Sequence, residues 1–434
     1  MDHYKNTGRK VNGFIFLTIL FLGGILFFLL PKDAVSEREK RTLAPFPKFS
    51  VTSLISGAYA DSIDLYYSDN FIFRDPIINV ASTIREHTGW GDDEIKIYAG
   101  TDFESQMSNS DADSLEGDLD VLNPSGNIQL ENGQLSDENQ DPGKYSKINS
   151  VIVYKKKAIQ MYKGSNGAIK RYADLMGKYY QTFEGKVNIY CMPIPIGADF
   201  YLPDNFSHTN EKETIDYLYS VLPSGVRAVH AYEALEKHKD EYLYFNTDHH
   251  WTGRGSFYAY QAFCHAAEME PIAPERLTRK VIKNFLGTLY ALTLSKELKE
   301  NIDSVEYFKL PFETKAIAYP KDSDKPRSAN MLVEGAKGGH AYGVFLGADY
   351  PLMKITSSVK NGRKVLEVKD SYGNAFAPFL PANFEEVFVV DYRYFEGNIK
   401  DLVKKFGITD IIFAHNVYVV NSAFTIKRET FLIR

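Results

Sequence analysis

The sequence predicts an α/β fold, a mostly parallel sheet with helices on both faces. Three observations carry this expectation. From residue 148 to 238, short runs rich in Val, Ile and aromatics alternate with stretches of helical periodicity. From 343 to 416, apolar runs of strand length recur, again broken by helical or turn-like segments. Finally, 44% of the 434 residues are hydrophobic and 14% aromatic, so a large core can be filled. Alternation of this kind implies helical crossovers, which leave neighbouring strands parallel.

The chain opens with Lys5, Arg9 and Lys10 ahead of an uncharged run at 13–30. About 20 such residues cross a bilayer, and basic residues before the run hold the N-terminus in the cytoplasm. The run is longer than a signal-peptide core, and Pro31-Lys32-Asp33 follows it in place of a small-residue cleavage site. The expectation is a cytoplasmic tail at 1–12, a single transmembrane signal anchor at 13–30, and the remaining chain anchored outside the cell membrane. A cleaved signal peptide is the competing reading. Residues 31–90 read as a membrane-proximal helical segment. They are polar and proline-punctuated to 50, and Tyr59, Leu65, Tyr66, Phe71 and Phe73 recur with helical spacing beyond it.

The α/β domain is expected over 91–434. A strand at 94–98 is followed by an insert at 102–146 that is rich in Asp, Glu, Ser, Asn and Gly and nearly lacks aromatics. Such a composition cannot bury enough surface to order itself. Asp111, Asp113, Asp118 and Asp120 lie close together, but the glycine and final glutamate of a calcium loop are out of register. A strand at 148–154 resumes, able to pair with 94–98 as a hairpin across the insert. A helix at 166–183, a buried strand at 187–192 ended by Pro193 and Pro195, a helix near 210–220, a strand at 227–230 and a helix near 231–238 come next. Residues 242–245 read as a short β run and 257–267 as an amphipathic helix. Residues 270–340 read as an insertion walling a cleft, with His340 solvated in a glycine-rich loop. Strands at 343–347, 364–369, 386–391 and 410–415, with a helix at 398–406, complete the domain.

The net charge of −6 gives no support to nucleic-acid binding. The two cysteines, Cys191 and Cys264, are buried thiols or one disulfide, and spacing leaves both open. No Cys/His zinc spacing is present.

Chemistry gathers at Asn246-Thr-Asp-His-His-Trp-Thr-Gly253. Asp248, His249 and His250 stand side by side between the expected β run and a helix whose start Thr252 marks, a place where α/β folds put chemistry. In extended chain, residues i and i+2 face the same way. Asp248 could then hold one nitrogen of His250 and leave the other as a base, with His249 turned to the opposite side. A second candidate is Ser371, which follows the apolar strand at 364–369 and precedes Gly373-Asn374. A strand–turn–helix corner exposes such a hydroxyl beside free backbone N–H groups. Its competing role, or that of Asp370, is to cap the helix.

Thr247-Asp-His-His-Trp-Thr252, Lys369-Asp-Ser-Tyr-Gly-Asn374 and Glu37-x-x-x-Arg41-x-Leu-Ala-Pro-Phe-Pro47 together resemble the DHHW family, a bacterial branch of the SGNH-hydrolase superfamily. The chain also looks like a relative of the alginate O-acetylation proteins, and the long acidic insert departs from the pattern. The resemblance implies an SGNH-hydrolase-like, flavodoxin-like sheet. It implies Ser371 as nucleophile, with His250 and Asp248 as its base pair. Asn416 and Gly347, at the ends of late strands, are candidate oxyanion donors, and Tyr372, Arg393 and His249 are candidate cleft residues, with buried packing the favoured alternative for Tyr372 and Arg393. The implied activity is O-acetyl transfer or ester hydrolysis on a cell-surface polysaccharide or acetylated glycan. A membrane-bound O-acyltransferase would be the acetyl donor, with no cofactor and no metal. Two other classes stay open: a non-catalytic glycan-binding or scaffolding protein, and a metal-dependent phosphoesterase using Asp248 and His250 as ligands.

Overall fold

The computed structural model describes residues 151–434 apart from 162 and 322–324. Before these it describes residues 18, 21–22, 24–27, 29, 32, 35–36, 41–56, 58–71 and 95–98. The acidic insert and most of the expected anchor lie outside the described residues. Among the described residues no helix is long and apolar enough to cross a membrane. The chain divides into two units, Met1–Asp93 with Leu294–Lys296, and Glu94–Thr293 with Glu297–Arg434.

In the first unit, helices Val51–Ser56 and Ala58–Asp69 follow a two-residue strand pair, Val35–Ser36 with Arg41–Thr42. The Asn70 amide closes the second helix by donating to the carbonyls of Tyr66 (2.9 Å) and Ala44 (3.1 Å). These bonds tie the end of the helix to the extended segment before it.

Among its described residues the second unit has thirteen strands, numbered along the chain. They are β1 (Ile95–Tyr98), β2 (Val151–Tyr154), β3 (Lys157–Gln160), β4 (Asn188–Ile194), β5 (Val226–Ala228), β6 (Thr278–Phe285), β7 (Asp303–Lys309), β8 (Lys315–Tyr319), β9 (Arg327–Ala329), β10 (Leu352–Thr356), β11 (Lys364–Lys369), β12 (Glu386–Asp391) and β13 (Asp410–Asn416). Eight of them form the main sheet in the order β9-β8-β10-β12-β11-β13-β4-β5. The run from β12 to β5 is parallel. At the other edge β10, β8 and β9 pair antiparallel. The sheet is therefore parallel over most of its width with an antiparallel edge, and the segment read as an insertion supplies β8 and β9 of that edge.

The period of two along the central strands builds both cores. Ile189, Cys191, Leu366, Val368, Ile411 and Phe413 fill one face. Tyr190, Met192, Val365, Ile412 and Ala414 fill the other. On the first face lies α1 (Asn166–Thr182), which buries Ile169, Tyr172, Ala173, Met176 and Tyr179. Ser165 caps it by accepting from the Ala168 amide (3.2 Å). On the second face lies α2 (Gly253–Ala266), which buries Phe257, Tyr260, Phe263 and Cys264. Both cysteines are free and buried.

Two expected strands are absent. Residues 343–347 do not form one: a 3-10 helix, Gly338–Val344, leads into an isolated bridge between Leu332 and Phe345. Its apolar residues enter the core from a turn, with Leu346 at φ 62°. The β run at 242–245 reduces to one antiparallel bridge, Tyr244 with Trp251. The chain doubles back between them and so keeps the intervening residues in a bend. The small sheet β1-β2-β3 does pair antiparallel across the acidic insert. Because β12, β11, β13 and β4 run parallel, their carboxyl ends share one edge, where the polar residues collect.

Candidate active site

Asp248 and His250 belong to the bend that the Tyr244–Trp251 bridge closes. The Phe245 amide donates to the His250 carbonyl (3.2 Å), and the Thr252 amide to the Leu243 carbonyl (2.8 Å). Asp303, at the start of β7, grips the bend from outside. Its carboxylate accepts from the amides of Asn246 (2.8 Å) and Thr247 (2.7 Å), from Thr247 Oγ1 (2.5 Å) and from the Tyr242 hydroxyl. Four donors on one buried carboxylate make this a rigid clamp. After the bend, Thr252 caps α2 by accepting from the Gly255 amide (3.2 Å). Trp251 is fully buried, and its Nε1 donates to the Tyr372 carbonyl (2.9 Å). That bond ties the histidine bend to the serine turn.

Ser371 follows Asp370, the first residue past β11. Asp370 fixes this turn with both oxygens, accepting from the Tyr372 amide (2.8 Å) and from the Asn416 amide at the end of β13 (2.8 Å). Neither side chain caps the short helix Gly373–Phe376 that follows: Asp370 closes the turn before it, and the Ser371 hydroxyl is left for other use. Gly373 follows because a Cβ there would collide with Glu367 and Lys369. The Ser371 carbonyl accepts from the Tyr342 hydroxyl (2.9 Å).

The two stretches meet. Ser371 Oγ lies 2.8 Å from His250 Nε2, and His250 Nδ1 lies 2.6 Å from Asp248 Oδ1. Asp248 and His250 are buried, and Ser371 is half-buried. A carboxylate on Nδ1 selects the Nδ1–H tautomer and leaves the Nε2 lone pair to accept the serine proton. Asp248 Oδ2 accepts from the Thr288 amide (2.8 Å) and Thr288 Oγ1 (3.0 Å). Burial by itself would raise the Asp248 carboxyl. The imidazoles of His250 and His249 and these hydrogen bonds override it and hold the group well below the usual carboxylate range. The imidazole of His250 also stacks on Tyr342, with centroids 4.0 Å apart and planes 13° from parallel.

His249 does not point to the opposite side. The bend turns it beside His250, with ring centroids 3.8 Å apart, and its Nδ1 lies 2.7 Å from Thr288 Oγ1. Burial and the neighbouring His250 push it down to about 3, so it is neutral. A neutral His249 donating to Thr288, which donates to Asp248, gives a continuous polar chain into the carboxylate.

The other sequence candidates fall elsewhere. Asn416 spends its backbone amide on Asp370, and its Oδ1 accepts from the amides of Tyr418 (2.9 Å) and Val419 (3.3 Å), so the donor it has left to offer is its side-chain Nδ2. Gly347 sits in an exposed turn at φ 81°, packed on Val333. Tyr372 is buried, and its hydroxyl bonds to the His249 carbonyl, so it braces the bend rather than lining a cleft. Arg393 is drawn into a buried ionic cluster. It pairs with Asp391 (2.7 Å) and Asp349 (2.9 Å), and both of these also pair with Lys369 (2.6 and 3.1 Å). Thr288, Tyr342 and Asp303 join the site from segments that carry no motif. A local signal for Thr288 is the glycine before it, Gly287, where a Cβ would run into Asp248.

Asp248, His249 and His250 each offer a ligand atom within 4.8 Å of the others. Both nitrogens of His250, His249 Nδ1 and both oxygens of Asp248 are already engaged with Ser371, with Thr288 or with each other. The arrangement fits proton transfer at a hydroxyl better than it fits a cation.

The family model described as "DHHW protein" matches residues 39–157 and 139–390. A DHHW family protein from Eubacterium siraeum DSM 15702 is 30% identical, with TM-score 0.61, covering 66% of this chain and 96% of that one. Bacillus cereus PatB1, solved with a sulfonyl adduct, is 20% identical, with TM-score 0.56, covering 65% of this chain and 97% of that one. The O-acetyltransferase domain of Pseudomonas putida AlgJ is 12% identical with TM-score 0.37, covering 63% and 95%, too distant to carry an argument. No curated protein matches the sequence. The chain belongs to the DHHW family.

Proposed function

We propose that this DHHW-family chain is an extracytoplasmic O-acetyltransferase or acetylesterase of SGNH type. Its substrate is a cell-surface polysaccharide, and it works through an acyl-serine intermediate. The observation that carries the reading is the unbroken line Asp248 Oδ1–His250–Ser371 Oγ, at 2.6 and 2.8 Å. Ser371 Oγ attacks the ester carbonyl as its proton passes to His250 Nε2. The tetrahedral oxyanion collapses, and the departing alkoxide takes that proton. A sugar hydroxyl or water then attacks the acyl-serine, gives its proton to His250 and restores the serine. Asp248 orients the ring and stabilises the imidazolium without being protonated. The Ser371 amide makes no hydrogen bond among the described residues and is the first candidate donor to the oxyanion.

The motif resemblance to the alginate O-acetylation proteins supports the glycan substrate and a membrane-bound O-acyltransferase as acetyl donor. The uncharged run at 13–30 behind Lys5, Arg9 and Lys10 supports the location. The test is hydrolysis of 4-nitrophenyl acetate by the full chain. Ser371→Ala is expected to lower kcat at least about a thousandfold. A variant that keeps wild-type turnover ends the serine reading. Glycan binding without any turnover points instead to a scaffolding protein.

A further inference from the structure

The segment from Gly338 to Asp349 supplies no member of the triad, yet it grips both the base and the serine turn. Its 3-10 helix, Gly338–Val344, presents Tyr342 to the site. The phenol ring lies face to face with the His250 imidazole, with centroids 4.0 Å apart and planes 13° from parallel. The hydroxyl of the same side chain donates to the Ser371 carbonyl (2.9 Å). Further along the segment, Asp349 holds the residues that flank the serine. Its Oδ1 accepts from Asn374 Nδ2 (2.9 Å) and pairs with Lys369 Nζ (3.1 Å), and its Oδ2 pairs with Arg393 (2.9 Å).

These contacts leave the reacting groups little freedom. The peptide group between Ser371 and Tyr372 is held at both ends, its carbonyl by Tyr342 (2.9 Å) and its N–H by Asp370 (2.8 Å). What stays free at Ser371 is rotation of the side chain, which brings Oγ to 2.8 Å from His250 Nε2. Asp248 holds the imidazole at one edge atom, Nδ1 (2.6 Å). A bond to one edge lets a ring tilt about that bond, and a flat aromatic face against the imidazole plane removes the tilt. The same face meets charge. When Ser371 gives up its proton, His250 becomes an imidazolium, and the π face of a phenol at this distance attracts a cation. That attraction exists only while His250 carries the proton, so it favours the transition state over the resting enzyme. An aliphatic side chain would fill the space without doing either.

We infer that Tyr342 is a positioning residue for the acyl-transfer steps. Its ring sets the plane of the His250 imidazole and stabilises the imidazolium, and its hydroxyl fixes the Ser371 peptide. The inference rests on the serine-ester reading above, in which the Ser371 Oγ proton passes to His250 Nε2.

The experiment measures steady-state hydrolysis of 4-nitrophenyl acetate by the full chain in wild type, Tyr342→Phe and Tyr342→Leu, each repeated in the His250→Ala background. Tyr342→Phe removes one oxygen and keeps the ring with its packing. It is expected to lower kcat about fivefold through loss of the hydroxyl. Tyr342→Leu is expected to lower kcat about a hundredfold, with KM within about twofold of wild type in both variants. In the His250→Ala background the step from Tyr342→Phe to Tyr342→Leu is expected to cost nothing, because the ring acts through that imidazole. Wild-type kcat in both variants, a loss carried by KM, or an equal loss with and without His250 overturns the role of Tyr342. If Ser371→Ala leaves turnover intact, the serine reading itself fails, and the role of Tyr342 falls with it.

Discussion

The residue that links the triad to the rest of the site is Thr288. Its amide and hydroxyl both reach Asp248 Oδ2, and His249 lies 2.7 Å behind the hydroxyl. We expect Thr288→Val to lower kcat about ten- to a hundredfold, because a carboxylate freed on one side no longer fixes the imidazole. Thr288→Ser keeps the hydroxyl and is expected to stay near wild type. Parallel stopped-flow measurements on both decide the matter: equal losses would mean packing, not orientation. Asp248, His250 and Ser371 are legible in the sequence because each sits in a motif. The placement of His249 is not, because an extended backbone would turn it away, whereas the bend brings two adjacent rings to the same side. Tyr342 is not legible at all, and Thr288 is marked only by the glycine before it, whose reason the sequence does not show. Nothing in a single chain announces that a threonine 40 positions away will meet an aspartate.

Among elements, β11 does the most to set the site, and it carries an unusual burden. Glu367 is fully buried in the middle of the strand, and neither carboxyl oxygen has a partner among the described residues. Burial raises it well above its ordinary value. The folded protein therefore keeps a proton that the unfolded chain, titrating near 4.5, releases. Stability from this group is intact below that pH and is lost as pH climbs toward the raised value. Glu367→Gln is expected to remove the loss. The gap in Tm between variant and wild type should therefore shift in the variant's favour from pH 4.5 to pH 8. A gap that stays constant across that range would show that Glu367 is ionised when folded. The strands themselves are readable, since β4, β11, β12 and β13 are short apolar runs bounded by turn residues. The antiparallel edge is not, because alternation along one strand does not reveal its neighbour's direction. Residues 343–347 mislead for a related reason: five apolar or glycine residues serve a turn into the core as well as they serve a strand.

On the scale of the whole molecule, the site depends on parts far apart in sequence arriving at one carboxyl edge. Asp248 and His250 come from a bend before α2, Ser371 from the turn after β11, and the clamp Asp303 from β7. The proposed location adds a geometric demand, since a polysaccharide outside the cell is reached only from outside. A C-terminal tag on the full chain should be removed by protease added to intact spheroplasts. Protection until lysis would place the domain in the cytoplasm and remove the proposed substrate. The most direct test of the central claim is to trap the intermediate. The full chain is mixed with 4-nitrophenyl acetate, quenched in acid within milliseconds and digested for mass spectrometry. One acetyl group is expected on the peptide holding Ser371, and none on that peptide in His250→Ala. Acetylation spread over surface lysines, with the Ser371 peptide unmodified during turnover, would contradict the account.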